Sequence, residues 1–157
     1  MVQIRKIDRS ENENSFQVIK KLFLELHRYM EKNGLVLKLA DHGEQKWEEL
    51  IKWSLGRNSQ IFVAEKNNVM VGYAYGVIRI APEYLGGKKI GYIQHIYVKK
   101  RYRRENIGQL LLVHLENWFR DKNTDLIELE VLVKSEPAIE FWKKNNYHPE
   151  FLRMTKV

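Results

Sequence analysis

The chain has 157 residues and carries 27 Lys plus Arg against 20 Asp plus Glu, a formal net charge of +7. Hydrophobic residues at 44% and charged residues at 30% match a globular domain and exclude a disordered, collagen-like or membrane-embedded chain. With no cysteine, a disulfide scaffold, a thiolate metal site and a cysteine nucleophile are excluded together.

This length buries a core without covalent staples, and no stretch rich in Pro, Gly or Ser divides it, so one domain is expected over 1–157. Met1 to Ser10 lacks an apolar signal core, and no apolar run reaches the roughly 18 residues of a membrane span. A cytoplasmic location and no membrane contact are expected.

Val2 to Ile7 reads as a strand. Phe16, Ile19, Leu22, Phe23, Leu26 and Met30 recur at helical steps, and Asn33-Gly34 supplies a stop. Asp41 and Glu44 have the spacing of an N-cap and its capping-box partner, which predicts a second helix through Trp47 and Ile51 to Gly56. Ile61 to Glu65 and Val69 to Ile80 are β-rich runs joined by Asn67-Asn68, the pattern of a hairpin. A looser stretch with Pro82 and Gly86-Gly87 precedes a strand over Ile90 to Val98. Ile107, Leu110, Leu111, Leu115 and Trp118 mark a further helical face.

Leu126 to Val133 alternates, with Ile127, Leu129, Val131 and Val133 on one side and Glu128 and Glu130 on the other. Ser135-Glu136-Pro137 starts a short helix bearing Phe141 and Trp142, and Phe151 to Val157 reads as a closing strand. The order implies a mixed α/β sheet of roughly six to seven strands flanked by about four helices. The strands ending at Val98 and starting at Leu126 are joined through a helix, so they run parallel.

Charge concentrates where these elements meet. Lys88, Lys89, Lys99, Lys100, Arg101, Arg103 and Arg104 fall within 17 positions. Such a run is either a solvated surface or the footprint of an anionic partner. Just beyond it a strand ends and a helix opens at Asn106-Ile107-Gly108, where free amides and the positive end of the macrodipole favour phosphate. Gly108 admits close approach to the backbone, and Arg103 and Arg104 add charge. Neither a Walker loop nor a three-glycine dinucleotide fingerprint is present. The histidines show no metal-ligand spacing, so no metal is expected.

The run Ile96-Tyr97-Val98, then Arg103-x-x-Asn106-x-Gly108, then Leu110-Leu111, resembles the acetyl-coenzyme A signature of the GNAT N-acetyltransferase superfamily. Ser135 to Tyr147 resembles that family's second recurrent segment, and the order of elements matches as well. The resemblance implies a GNAT-like sheet whose central parallel strand pair splays to admit acetyl-pantetheine beside Ile96, Tyr97 and Val98. It also implies pyrophosphate on the amides of Arg103, Arg104, Glu105, Asn106, Ile107, Gly108 and Gln109. Ser135, Phe141 and Trp142 would line the cofactor, and Lys144 would meet the 3′-phosphate.

Two departures bear on catalysis. Gln94 stands where several relatives carry a glutamate base, and Trp142 replaces the tyrosine that in many relatives protonates the thiolate. His95 has a suitable intrinsic pKa for a base, and Tyr147 and Tyr102 are replacement acids by chemistry. A water relay from Glu25 or Glu83 is equally allowed.

The function implied is direct acetyl transfer from acetyl-coenzyme A to a primary amine of a small molecule or a protein, with a homodimer common among similar proteins. Two alternatives stand beside it: a coenzyme A-binding module with decayed catalysis, and a basic nucleic-acid-binding protein using Tyr92, Tyr97 and Tyr102 for stacking.

Overall fold

The computed structural model describes residues 1–157. The strands are β1 (Val2–Ile7), β2 (Ser59–Lys66), β3 (Val69–Ile80), β4 (Lys89–Val98) and β5 (Leu126–Leu129). The helices are α1 (Glu13–Lys32), α2 (Gly43–Ser54), α3 (Ile107–Asp121) and α4 (Glu136–Lys144). One sheet runs in the order β1-β2-β3-β4-β5, antiparallel except for the parallel pair β4–β5. Asn67 and Asn68 take φ of 52° and 62°, the left-handed pair that a two-residue hairpin turn between β2 and β3 requires.

Each face of the sheet has its own core. On one side α1 brings Phe16, Ile19, Leu22 and Phe23, and α2 brings Ile51, onto Ile61, Val63, Tyr73, Tyr75 and Tyr97. On the other, α3 brings Leu111, Leu112, Leu115 and Phe119 onto Phe62, Ala64, Val71, Ala74 and Ile93. Phe119 seats against two glycines: a Cβ at Gly76 or at Gly91 would lie 2.7 Å from its ring. The sheet is thus thinned where the largest fully buried α3 side chain enters it.

One irregularity positions the site. Tyr75 opposes His95 and Gly76 opposes Ile93, so Gln94 is an extra residue with no partner on β3. This β-bulge reverses the alternation of β4. Gly91 and Ile93 face α3, yet after the bulge Ile96 and Val98 face α3 while His95 and Tyr97 turn to α1 and α2.

Four expectations are corrected. The sheet has five strands, not six to seven. β5 stops at Leu129 rather than Val133, because its ladder to β4 ends at the Ile93–Leu129 pair, where the bulge turns β4 away. Residues 151–157 form no strand: every one is exposed, and without a laddered neighbour an extended segment has no backbone partners. Finally, α2 is not capped by Asp41. His42 is the N-cap, in the left-handed region with φ 57°, and makes no side-chain cap bond. A Cβ at Gly43 would meet Leu39 at 2.7 Å, so packing of the preceding loop sets this start.

Candidate active site

Past Ile93 and Leu129 the two parallel strands separate, and a cleft of about 660 Å³ opens between them. β4 supplies Gln94, His95, Ile96, Tyr97 and Val98; the residues after β5 supply Glu130, Val131 and Leu132. α1 contributes Leu26, Tyr29 and Met30, and α4 contributes Phe141, Trp142 and Lys144. The start of α3 closes one end with Arg103, Arg104, Asn106, Ile107, Gly108 and Gln109.

That end is built for an anion. Asn106 is the N-cap of α3 at φ 60° and makes no side-chain cap bond, and its carbonyl accepts the amide of Leu110. The amides of Ile107, Gly108 and Gln109 therefore lack intrahelical acceptors. Arg104 is also left-handed, at φ 67°, so two residues bend the chain tightly ahead of the helix. A Cβ on Gly108 would stand 3.6 Å from the Phe141 ring, which leaves room for alanine but not for a long side chain. Arg103 lies over the rings of Tyr29 and Tyr97, 5.7 and 5.6 Å from their centroids, and its Nε donates to the Val98 carbonyl at 2.9 Å. Free helix amides, a thin backbone and stacked guanidinium fit a pyrophosphate, and the apolar gap behind them fits a pantetheine arm.

The sequence-predicted residues sort into three groups. Ile96, Tyr97, Val98, Arg103, Arg104, Asn106, Ile107, Gly108, Gln109, Ser135, Phe141, Trp142 and Lys144 all line this cleft, and so does His95. Glu105 does not; its carboxylate turns outward and pairs with Lys66 at 2.5 Å. Tyr147 does not either. Its hydroxyl donates to Glu116 at 2.8 Å in a separate surface depression, and burial beside that carboxylate pushes its pKa far up. An acid so placed has no access to the gap, because α4 ends before it and carries it to the opposite end of β5.

His95 sits among the rings of Phe23, His27, Trp47, Tyr73 and Tyr75. Its Nδ1 is 3.1 Å from the Tyr73 hydroxyl. Burial, with His27 nearby, lowers its pKa to about 3. At neutral pH the imidazole is therefore uncharged. The Tyr97 hydroxyl donates to Glu25 at 3.0 Å, and burial followed by that bond raises its pKa to about 12.

Three cleft residues carried little signal in the sequence. Tyr29 falls on the α1 face that the helical repeat marks, but nothing in the repeat says its hydroxyl meets Ser135 at 2.6 Å across the cleft mouth. That contact is why Ser135 makes no cap bond to α4. Glu130 was legible only as the polar side of an alternating run. Asn145 closes the far end of α4, bonding back to the Phe141 carbonyl at 2.8 Å.

Residues 19–147 match the family described as "Acetyltransferase (GNAT) family". The chain belongs to that family. As a GNAT protein it is an N-acetyltransferase whose acetyl donor is acetyl-coenzyme A. Similar folds include an aminoglycoside N-acetyltransferase AAC(6')-Iy in complex with CoA, at 13% identity and TM-score 0.78 over 100% of this chain and 95% of that one. Glucosamine-6-phosphate N-acetyltransferase from Arabidopsis thaliana superposes with TM-score 0.71 at 18% identity, over 100% and 98% of the two chains. A putative acetyl transferase from Pyrococcus furiosus gives 0.71 at 25% identity, over 99% of each. No curated protein matches the sequence at a significant level. No three His, Asp or Glu side chains gather into a possible metal site, and no helix is long and apolar enough to cross a membrane.

Proposed function

We propose that this GNAT protein transfers the acetyl group directly to a primary amine of a small molecule, with the donor held in the β4–β5 cleft and the acceptor approaching from the α1/α2 side. The observation that carries the reading is the coincidence of three features at one gap: the splay, the bulge at Gln94 and the uncapped start of α3. Relatives of this fold that act on aminoglycosides or on glucosamine 6-phosphate support a small polar amine as acceptor.

The bound donor supplies a thioester whose carbonyl carbon is attacked by the amine; the C–N bond forms as the C–S bond breaks. The chain's own work is placement. The amides of Ile107, Gly108 and Gln109 with Arg103 and Arg104 hold the pyrophosphate, and Lys144 meets the remaining phosphate. Backbone of Ile96 and Val98 pairs with the pantetheine amides, which requires Arg103 to release the Val98 carbonyl. The N–H groups of β4 at the bulge face the carbonyl oxygen as its charge grows. His95, neutral and fixed by Tyr73, positions the acceptor from the other face of the sheet. The amine gives its proton to solvent through the open side of the cleft, and the sulfur leaves as thiolate.

Calorimetric titration with acetyl-coenzyme A tests the donor half. One-to-one binding that is lost in an Arg103→Glu, Gly108→Trp double variant is expected. No heat at several temperatures, with both proteins folded, overturns the reading. Binding without acetylation of any amine in a broad panel would instead favour a cofactor-binding module.

A further inference from the structure

Glu130 stands out in a chain of net charge +7. It is the first residue beyond the last β4–β5 pair, so it lies opposite the Gln94 bulge, where the gap begins. Its side chain leaves on the α1/α2 face, because Oε1 accepts from the hydroxyl of Tyr92, which faces that way, at 2.6 Å. The other oxygen meets a cation supplied by the chain itself: Arg153, in the extended terminal segment, places its guanidinium 2.5 Å from Oε2.

That pair is weakly held. The Arg153 side chain is 72% exposed and Glu130 is 50% exposed, and an exposed ion pair contributes only about 0–1 kcal/mol. The carboxylate itself is fixed better than its cation, because the Tyr92 ring is buried and carries the guanidinium of Arg79 at 3.6 Å. A positioned carboxylate at the mouth of the gap with a loosely held guanidinium is a cation site with a replaceable occupant. Glu25, the other carboxylate of this face, accepts from Tyr97 but does not line the cleft, whereas Glu130 does.

We propose that Glu130 receives the ammonium of the acceptor, a primary alkylammonium, and that Arg153 is the resident cation it displaces. The inference rests on the transferase reading above and adds the group that selects the acceptor. Tyr92 is then a positioning residue: it holds one carboxylate oxygen so that the other stays available to a cation. The contact orients the amine before it loses its proton and discriminates against acceptors without a cationic nitrogen.

The test is calorimetry on the whole protein, with and without bound coenzyme A, using spermidine, neamine and lysine methyl ester as probes. Wild type, Glu130→Gln, Arg153→Ala and Tyr92→Phe are compared, with acetyl-coenzyme A affinity measured for each. The expected result is binding of at least one probe, weakened at least tenfold by Glu130→Gln and tightened about threefold to fivefold by Arg153→Ala, with acetyl-coenzyme A still bound by every variant. Tyr92→Phe is expected to fall between wild type and Glu130→Gln. Equal probe affinity in wild type and Glu130→Gln overturns the proposal, as does the absence of binding of all three probes to Arg153→Ala. Failure of wild type to bind acetyl-coenzyme A overturns the transferase reading first, and the acceptor role with it.

Discussion

The α3 face of the sheet is packed almost wholly from hydrocarbon, whereas the α1/α2 face mixes hydroxyls, imidazoles and carboxylates among its rings. On the first, Leu111, Leu112, Leu115 and Phe119 press onto Phe62, Ala64, Val71, Ala74 and Ile93. On the second, Tyr73, Tyr75, His95 and Tyr97 lie among Phe23, His27 and Trp47, with Glu25 at the edge. The difference fits a division of labour. Hydrocarbon packing fixes the axis of α3 and therefore where its free amides point, while groups that form directional bonds stand where an acceptor must be told apart from its neighbours.

That division can be broken by mutation, and the largest effect belongs to the hydrocarbon face. Phe119→Ala removes the ring that fills the space left by Gly76 and Gly91, and should cost about 3–5 kcal/mol of unfolding free energy in urea. A loss under about 1 kcal/mol would show that α3 is held by something else. Next is the bend before α3. Asn106→Val puts a β-branched residue at positive φ and should cost about 1–3 kcal/mol while weakening acetyl-coenzyme A binding, whereas Asn106→Gly should leave both nearly intact.

Smaller effects belong to the polar face and the cleft mouth. Tyr29→Phe deletes the hydroxyl bond to Ser135 and should lower stability by about 1 kcal/mol. A variant as stable as the parent would mean that water replaces the hydroxyl without cost. The last effect is a slope with pH, not a loss at one pH. The unfolded chain protonates His95 near its ordinary value of 6.5, but the folded chain resists until about 3. Protons therefore favour unfolding as pH falls between those values, and stability declines across that window. His95→Asn should flatten part of the decline in thermal melts taken from pH 7 to pH 4.

Much of this molecule was legible in its sequence because local chemistry and tertiary packing agree. Asn67-Asn68 demands a left-handed turn wherever it is placed, and the apolar steps of α1 point one way whatever they meet. The start of α3 at Asn106-Ile107 was legible for the same reason, since free amides at a helix start are a local property. What escaped depended on distant partners. Asp41 and Glu44 have good capping spacing, but Leu39 packing against Gly43 moved the start of α2. Val131 and Val133 alternate like strand residues, yet pairing needs a neighbour and β4 has turned away. Tyr147 has the right chemistry for an acid, and only the run of α4 shows that its hydroxyl goes to Glu116.

The extra residue in β4 makes the strand change phase in its middle. Up to Ile93 the odd-numbered positions face α3; from Ile96 the even-numbered ones do. A saturation scan of this strand should therefore show tolerance to polar residues that skips a beat. Apolar demand should fall on 93, 96 and 98 and glycine alone should suit 91, with Tyr92, His95 and Tyr97 answering to a different set of neighbours. Removing Gln94 alone would restore a regular ladder, with His95 still opposite Tyr75 and Ile93 still opposite Gly76, and would leave every other side chain of the strand on its present face. A single deletion would then remove the local bend that a bulge imposes while keeping both walls of the cleft in place, which separates the part played by the bend from the part played by the side chains.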